Sequence, residues 1–171
     1  VDFTKSPFVA AFFALWHLQG DAAVFALNTP ALWKAAPRFD PSLHRDVIDL
    51  RKPGNYQRYF ANNNHGLVWF GEPNQMDARL VAQSGILVVP GMLDVPLETL
   101  LAGYDSDEPL LRKFILPAQV REEALRALYR MNITAATLFP GLDGLARSIG
   151  YELEMVWEQL IVDYRQRLST D

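Results

Sequence analysis

Cysteine is missing from all 171 residues, which excludes disulfides, thiolate zinc sites and cysteine nucleophiles. Long apolar runs are missing as well. The longest, Phe8 to Leu18, is broken by His17 and falls short of the roughly 20 residues that a membrane-spanning helix needs, so no membrane is expected among the partners. No basic stretch leads into an apolar run and a small-residue cleavage site, so a secretory signal is not seen, and a cytoplasmic location is the expectation. The three histidines, His17, His44 and His65, show neither H-x-x-x-H nor H-E-x-x-H spacing, so no metal is expected. A Gly-rich phosphate loop and a G-x-S-x-G elbow are also lacking. Positive charge is in short supply: a net charge of -4 gives no overall attraction to nucleic acid. Only Arg38, Arg45, Arg51, Lys52 and Arg58 gather into a local basic group, read as solvated surface.

What is present is ordinary globular material. Half of the residues are hydrophobic and 21% are charged, enough for one domain over residues 1–171. Val1-Asp2-Phe3 reads as the end of a strand, and Thr4-Lys5-Ser6-Pro7 supplies an N-cap and a first-turn proline. From Phe8 to Leu18 the apolar residues recur at helical spacing up to Gly20. Ala22–Leu27, Gly66–Phe70 and Gly85–Val89 are apolar runs bounded by Gly, Pro or Asn and read as strands, and Leu111–Leu116, followed by Pro117, is a further strand candidate. Prolines and an Asn62-Asn63-Asn64 run make Ala31 to His65 loop-rich. Helices are predicted over Ala118–Met131, closed by Asn132, and over Leu142–Leu168, where Gly144 and Gly150 mark a point of division. The last helix carries an apolar stripe of Leu153, Val156, Trp157, Leu160, Ile161 and Tyr164, expected to bury Trp157 and Leu160 or, if exposed, to serve as a dimer or regulator contact. The predicted class is α+β, a small mixed β-sheet with packed helices, in which Val1–Phe3 is a central strand beside Ala22–Leu27 and Gly85–Val89.

Three blocks carry a resemblance. They are Asp2-Phe3-Thr4-Lys5-Ser6-Pro7 with its continuation to Ala14, Ala78-Arg79-Leu80-Val81-Ala82-Gln83-Ser84-Gly85-Ile86-Leu87, and Thr137-Leu138-Phe139-Pro140-Gly141-Leu142-Asp143-Gly144-Leu145-Ala146. In this order they resemble the FRG domain family, the first matching its D-W-T-x-S-P-x-x-A-x-x-F-A block. The (Phe/Tyr)-Arg-Gly tripeptide that names the family does not occur: Tyr129-Arg130 and Tyr164-Arg165 are not followed by Gly. The resemblance thus implies a truncated, processed or split product whose N-terminal segment lies elsewhere, in one reading on a partner chain. It further implies an effector of bacterial toxin or phage-defence systems.

A weaker similarity, to ADP-ribosyltransferases, implies an ADP-ribosyltransferase-like fold and NAD as the cofactor. In it Thr4-Lys5-Ser6 resembles the middle element of the NAD site. Two short hydroxyls at a strand end, beside helix N-terminal amides, suit a polar or anionic ligand, although Ser6 before Pro7 is equally an N-cap. Arg79 and Gln83, four apart before an apolar strand, suit the rim of a cleft. Thr4, Ser6, Arg79 and Gln83 are accordingly expected to line one cleft that binds a nucleotide or other small molecule. Gln83 cannot supply the negative charge that an oxocarbenium-like transition state calls for, so transfer chemistry requires a carboxylate, sought among Glu72, Asp77 and Asp143. Without one, the alternative is a non-catalytic ligand-sensing or protein-interaction module.

Overall fold

The structure, a computed structural model, describes residues 1–17 and 20–168, without the side chains at positions 154–156, 158 and 159. Strand β1 (Asp2–Thr4) leads into helix α1 (Pro7–Leu15), and β2 (Ala22–Leu27) into α2 (Thr29–Lys34). The short β3 (Ala36–Pro37) opens an irregular stretch that holds one π-helical turn, Tyr56–Phe60, before β4 (Val68–Gly71). Then follow α3 (Ala78–Ala82), β5 (Gly85–Pro90), α4 (Leu97–Ala102), β6 (Tyr104–Asp105) and β7 (Leu111–Leu116). A 3-10 turn (Ala118–Val120) enters α5 (Arg121–Arg130), and α6 (Ala135–Leu138) and α7 (Leu142–Tyr151) continue through a π-helical segment (Glu152–Trp157) into α8 (Glu158–Leu168).

The α+β class holds, but the sheet expectation needs correction. There is no mixed sheet among the described residues. A three-stranded sheet in the order β1-β5-β4 and two ribbons, β2-β7 and β3-β6, are all antiparallel. Strand β1 lies at an edge, pairing Phe3 with Ile86, and β2 pairs with β7 instead, Val24 opposite Phe114. Strand direction and partner are set by contacts between segments distant in sequence, which local apolarity does not encode.

The side-chain alternation of β4 explains why the sheet is buried on both faces. Val68 and Phe70 enter one core with Leu32, Val88, Leu100 and Leu101, while Leu67 and Trp69 enter another with Ile48, Tyr59 and Phe60. A third core lies apart from these: Val9, Phe12 and Leu15 of α1 meet Leu125 and Leu128 of α5 and Ala135 and Leu138 of α6. Large aliphatic and aromatic side chains buried in this way stabilise by ~1.5–3 kcal/mol each. Arg121 fastens α1 to α5, its Nε and guanidinium donating to the carbonyls of Leu15 and Trp16 at 2.8 and 2.9 Å. This satisfies carbonyls that a helix end leaves without partners.

The last helix departs from the sequence-based expectation. Trp157 and Leu160 are 52% and 56% exposed rather than buried. Leu18 and the side chain of Val156 lie outside the described residues. Gly150 does not divide the helix, and Gly144 is buried where α7 crosses α6: a Cβ there would collide with the carbonyl oxygens of Phe139 and Ala135.

Candidate functional site

The three sequence blocks that stand apart along the chain meet in space. Thr4 Oγ1 at the end of β1 donates to the carbonyl of Gln83 (2.7 Å) and accepts from the Ser6 amide (3.0 Å). Lys5 N–H donates to the Ser84 carbonyl at 2.9 Å. Gln83 Nε2 donates to the Leu138 carbonyl at 2.9 Å, so the first block holds the second and the second holds the third. Aromatic contacts repeat the pattern: Phe13 meets Phe139 edge to face at 5.8 Å, and the Arg79 guanidinium lies 5.2 Å from the centre of the same ring. A cation over an aromatic face is held there by the ring quadrupole.

Beside this junction lies a groove of ≈ 690 Å³, within the range of small-molecule sites. Its walls come from β1 on one side and from β2 with Leu111 of β7 on the other; Ala10, Phe13 and Ala14 of α1 add to them, as do Arg79, Gln83, Leu97 and Glu98. Thr4, Arg79 and Gln83 therefore share one groove. Ser6 is not among its lining residues, because its hydroxyl accepts from the Val9 amide (3.3 Å) as the N-cap of α1. A second hollow of ≈ 460 Å³ adjoins the first, sharing Phe25, Glu98 and Leu111 with it and adding Arg38 and Lys113.

None of the carboxylates sought in the sequence faces the groove. Glu72 pairs with Lys5, whose hydrogen bond holds its carboxyl below the usual range, Asp77 caps α3 by accepting from the Leu80 amide at 2.7 Å, and Asp143 sits exposed in the first turn of α7. The groove carboxylates are instead Asp2 and Glu98. Glu98 escaped sequence reading because α4 is a helix of 6 residues, too short for periodicity; Pro96 followed by an acidic second residue is the signal that marks its start.

No protein-family model, curated protein or solved structure matches this chain.

Among the described residues no three His, Asp or Glu side chains are grouped to hold a metal ion, and no helix is long and apolar enough to cross a membrane. Of the local basic group Arg38, Arg51, Lys52 and Arg58 are exposed, as a solvated surface requires, and Arg45 is buried. Arg45 is 6% exposed, its Nε donating to the Phe70 carbonyl (3.1 Å) and its guanidinium 3.8 Å from the Trp33 ring centre. Arg51 chelates Asp49, and Lys52 donates to the Asp46 carbonyl. Arg38 lines the second hollow.

Proposed function

We propose that the groove is a nucleotide-binding site, with NAD the ligand to try first, in a protein of FRG-domain character acting as an ADP-ribosyltransferase-like effector of a toxin or phage-defence system. The observation that supports this reading is the set of groups brought together at one place. Phe13 and Phe25 offer aromatic surface for a base, Arg79 offers a charge for a phosphate, and Asp2 and Glu98 offer acceptors for ribose hydroxyls. The adjoining hollow, with Arg38 and Lys113 beyond the shared Glu98, adds length suited to a dinucleotide and a second point of positive charge.

In this reading Thr4 and Gln83 position rather than touch the ligand, since the Thr4 hydroxyl and the Gln83 amide nitrogen already have partners inside the fold. Glu98 takes the part of the carboxylate that steadies positive charge on the ribose as the glycosidic bond breaks. Those same internal hydrogen bonds favour the second reading, a non-catalytic ligand-sensing module, because the groove is then a binding surface alone.

Isothermal titration of the chain with NAD and with an unrelated nucleotide separates these outcomes. NAD is expected to give saturable heat, weakened on the order of 10- to 150-fold by Arg79→Ala, since a hydrogen bond to a charged group contributes ~1.5–3 kcal/mol. Glu98→Gln is expected to leave that heat in place and to abolish nicotinamide release, in which water takes the ADP-ribosyl group when no acceptor protein is present. Binding without nicotinamide release by the unaltered chain selects the sensing module. No heat from NAD, or equal heat from both nucleotides that is indifferent to Arg79→Ala, removes the nucleotide reading.

A further inference from the structure

We infer that the outer face of the C-terminal helical arm, from α7 through the π-helical segment into α8, is where two copies of the chain pair antiparallel. The inner face of α7 is already used: Gly144 and Ser148 are buried against the body, and Tyr151 stacks on Trp16 with ring centres 5.5 Å apart. The opposite face carries Leu142, Leu145, Ile149, Leu153, Trp157, Ile161 and Tyr164, all exposed, from 46% at Ile161 to 84% at Leu142. An apolar row this long, about 35 Å at 1.5 Å per residue, exceeds the scattered apolar side chains that any surface shows.

The occupant follows from the spacing. The steps along the row are three, four, four, four, four and three residues, the same in both directions about Leu153. On a regular α-helix successive four-residue steps would carry the row around the cylinder, and the wider turns of Glu152–Trp157 take up the surplus. A two-fold interface requires that when one residue meets another, the second meets the first, and a row that reads alike from both ends meets this condition. With Leu153 set on its own copy, Leu142 faces the second copy's Tyr164, Leu145 its Ile161, and Ile149 its Trp157.

Charge agrees with the antiparallel sense. The first turn of α7 is acidic at Asp143 and the last turn of α8 basic at Arg165 and Arg167. Antiparallel pairing places Asp143 of each copy level with Asp163 and within one turn of Arg165 of the other, whereas parallel pairing sets Asp143 against Asp143 and the arginines against each other. Opposed helix dipoles act in the same direction.

Sedimentation velocity across the micromolar range tests the pairing on the full chain. The unaltered chain is expected to form a dimer, and Leu153→Asp, which brings two carboxylates together on the axis, to weaken it on the order of 100-fold or more with its circular dichroism unchanged. Asp143→Arg and Arg165→Asp are each expected to weaken self-association on the order of tenfold. Mixing these two variants restores the dimer, because both cross-pairs are then of opposite sign. The mixing experiment also stands in if Leu153→Asp fails to fold. A monomer at every concentration overturns the inference, and so does a dimer that neither Leu153→Asp nor the charge reversals alter.

Discussion

Asp49 shows how a single side chain organises the irregular stretch between β3 and β4. Its carboxylate is buried and accepts from the Arg51 amide at 2.9 Å and from the Arg51 guanidinium at 2.8 Å, while its carbonyl accepts from Asn55. The Arg51 hydrogen bonds outweigh the burial and hold the carboxyl at about 2. A carboxyl that is more acidic folded than unfolded contributes stability above its unfolded value, near 3.8, and loses it as pH falls through the folded value. Asp49→Asn is therefore expected to lower stability by about 1–2 kcal/mol at neutral pH, the figure reduced for the partly exposed Arg51. Urea unfolding of both proteins at neutral pH, at pH near 4 and at pH near 2 checks this; a gap that fails to narrow between the last two contradicts the assignment. Arg45 makes the opposite point. It reads in the sequence as one of several surface cations, and Trp33 over its guanidinium, with Trp69 and Phe70 of β4 beside it, turns it into a buried side chain.

Elements were legible where composition alone defines them. Ala22–Leu27 is a strand with the bounds that its apolar run suggests, Leu111–Leu116 is a strand ended by Pro117, and Asn132, with φ of 61°, closes α5 in the left-handed conformation that asparagine tolerates. The short helices α2, α3 and α4 were not legible, because 5 or 6 residues complete too few turns to show a period. Gly144 reads as a helix weakness and proves to be a point of close approach between α6 and α7. Gly144→Ala is expected to destabilise by about 2–3 kcal/mol, since the new methyl group meets backbone oxygens that cannot rotate away. A control at Gly150, where an added Cβ meets nothing within 4 Å, should be neutral or slightly stabilising from helix propensity. Thermal unfolding of the two variants side by side decides it, and equal losses would mean that the α6–α7 crossing adapts.

At the scale of the molecule, the sequence conveyed the inventory of the candidate site better than its assembly. Thr4, Arg79 and Gln83 share the groove as their blocks suggested, but the carboxylates facing it come from β1 and α4, and Ser6 is spent on a helix cap. The reason is that a groove is made by tertiary neighbours, each unremarked in its own stretch of chain. Burial differs among the sheets too: Val68, Trp69, Phe70 and Val88 are sealed between two cores, whereas Phe25, Phe114 and Ile115 of the β2-β7 ribbon remain exposed. Native-state hydrogen exchange is expected to protect the β4-β5 amides most and to open the β2-β7 ribbon at lower free energy. Equal protection of the two would show that they unfold as one unit.

The groove stands between β1 and β2, which belong to different sheets and share no ladder of backbone hydrogen bonds. Its width is therefore set by side chains and by the seating of α1, contacts that can slide, rather than by the fixed spacing of paired strands. A molecule that filled the gap would act as mortar between two otherwise separate pieces of sheet. Occupancy would then tighten the body as a whole, and the free energy of that tightening would be drawn from the ligand's own affinity.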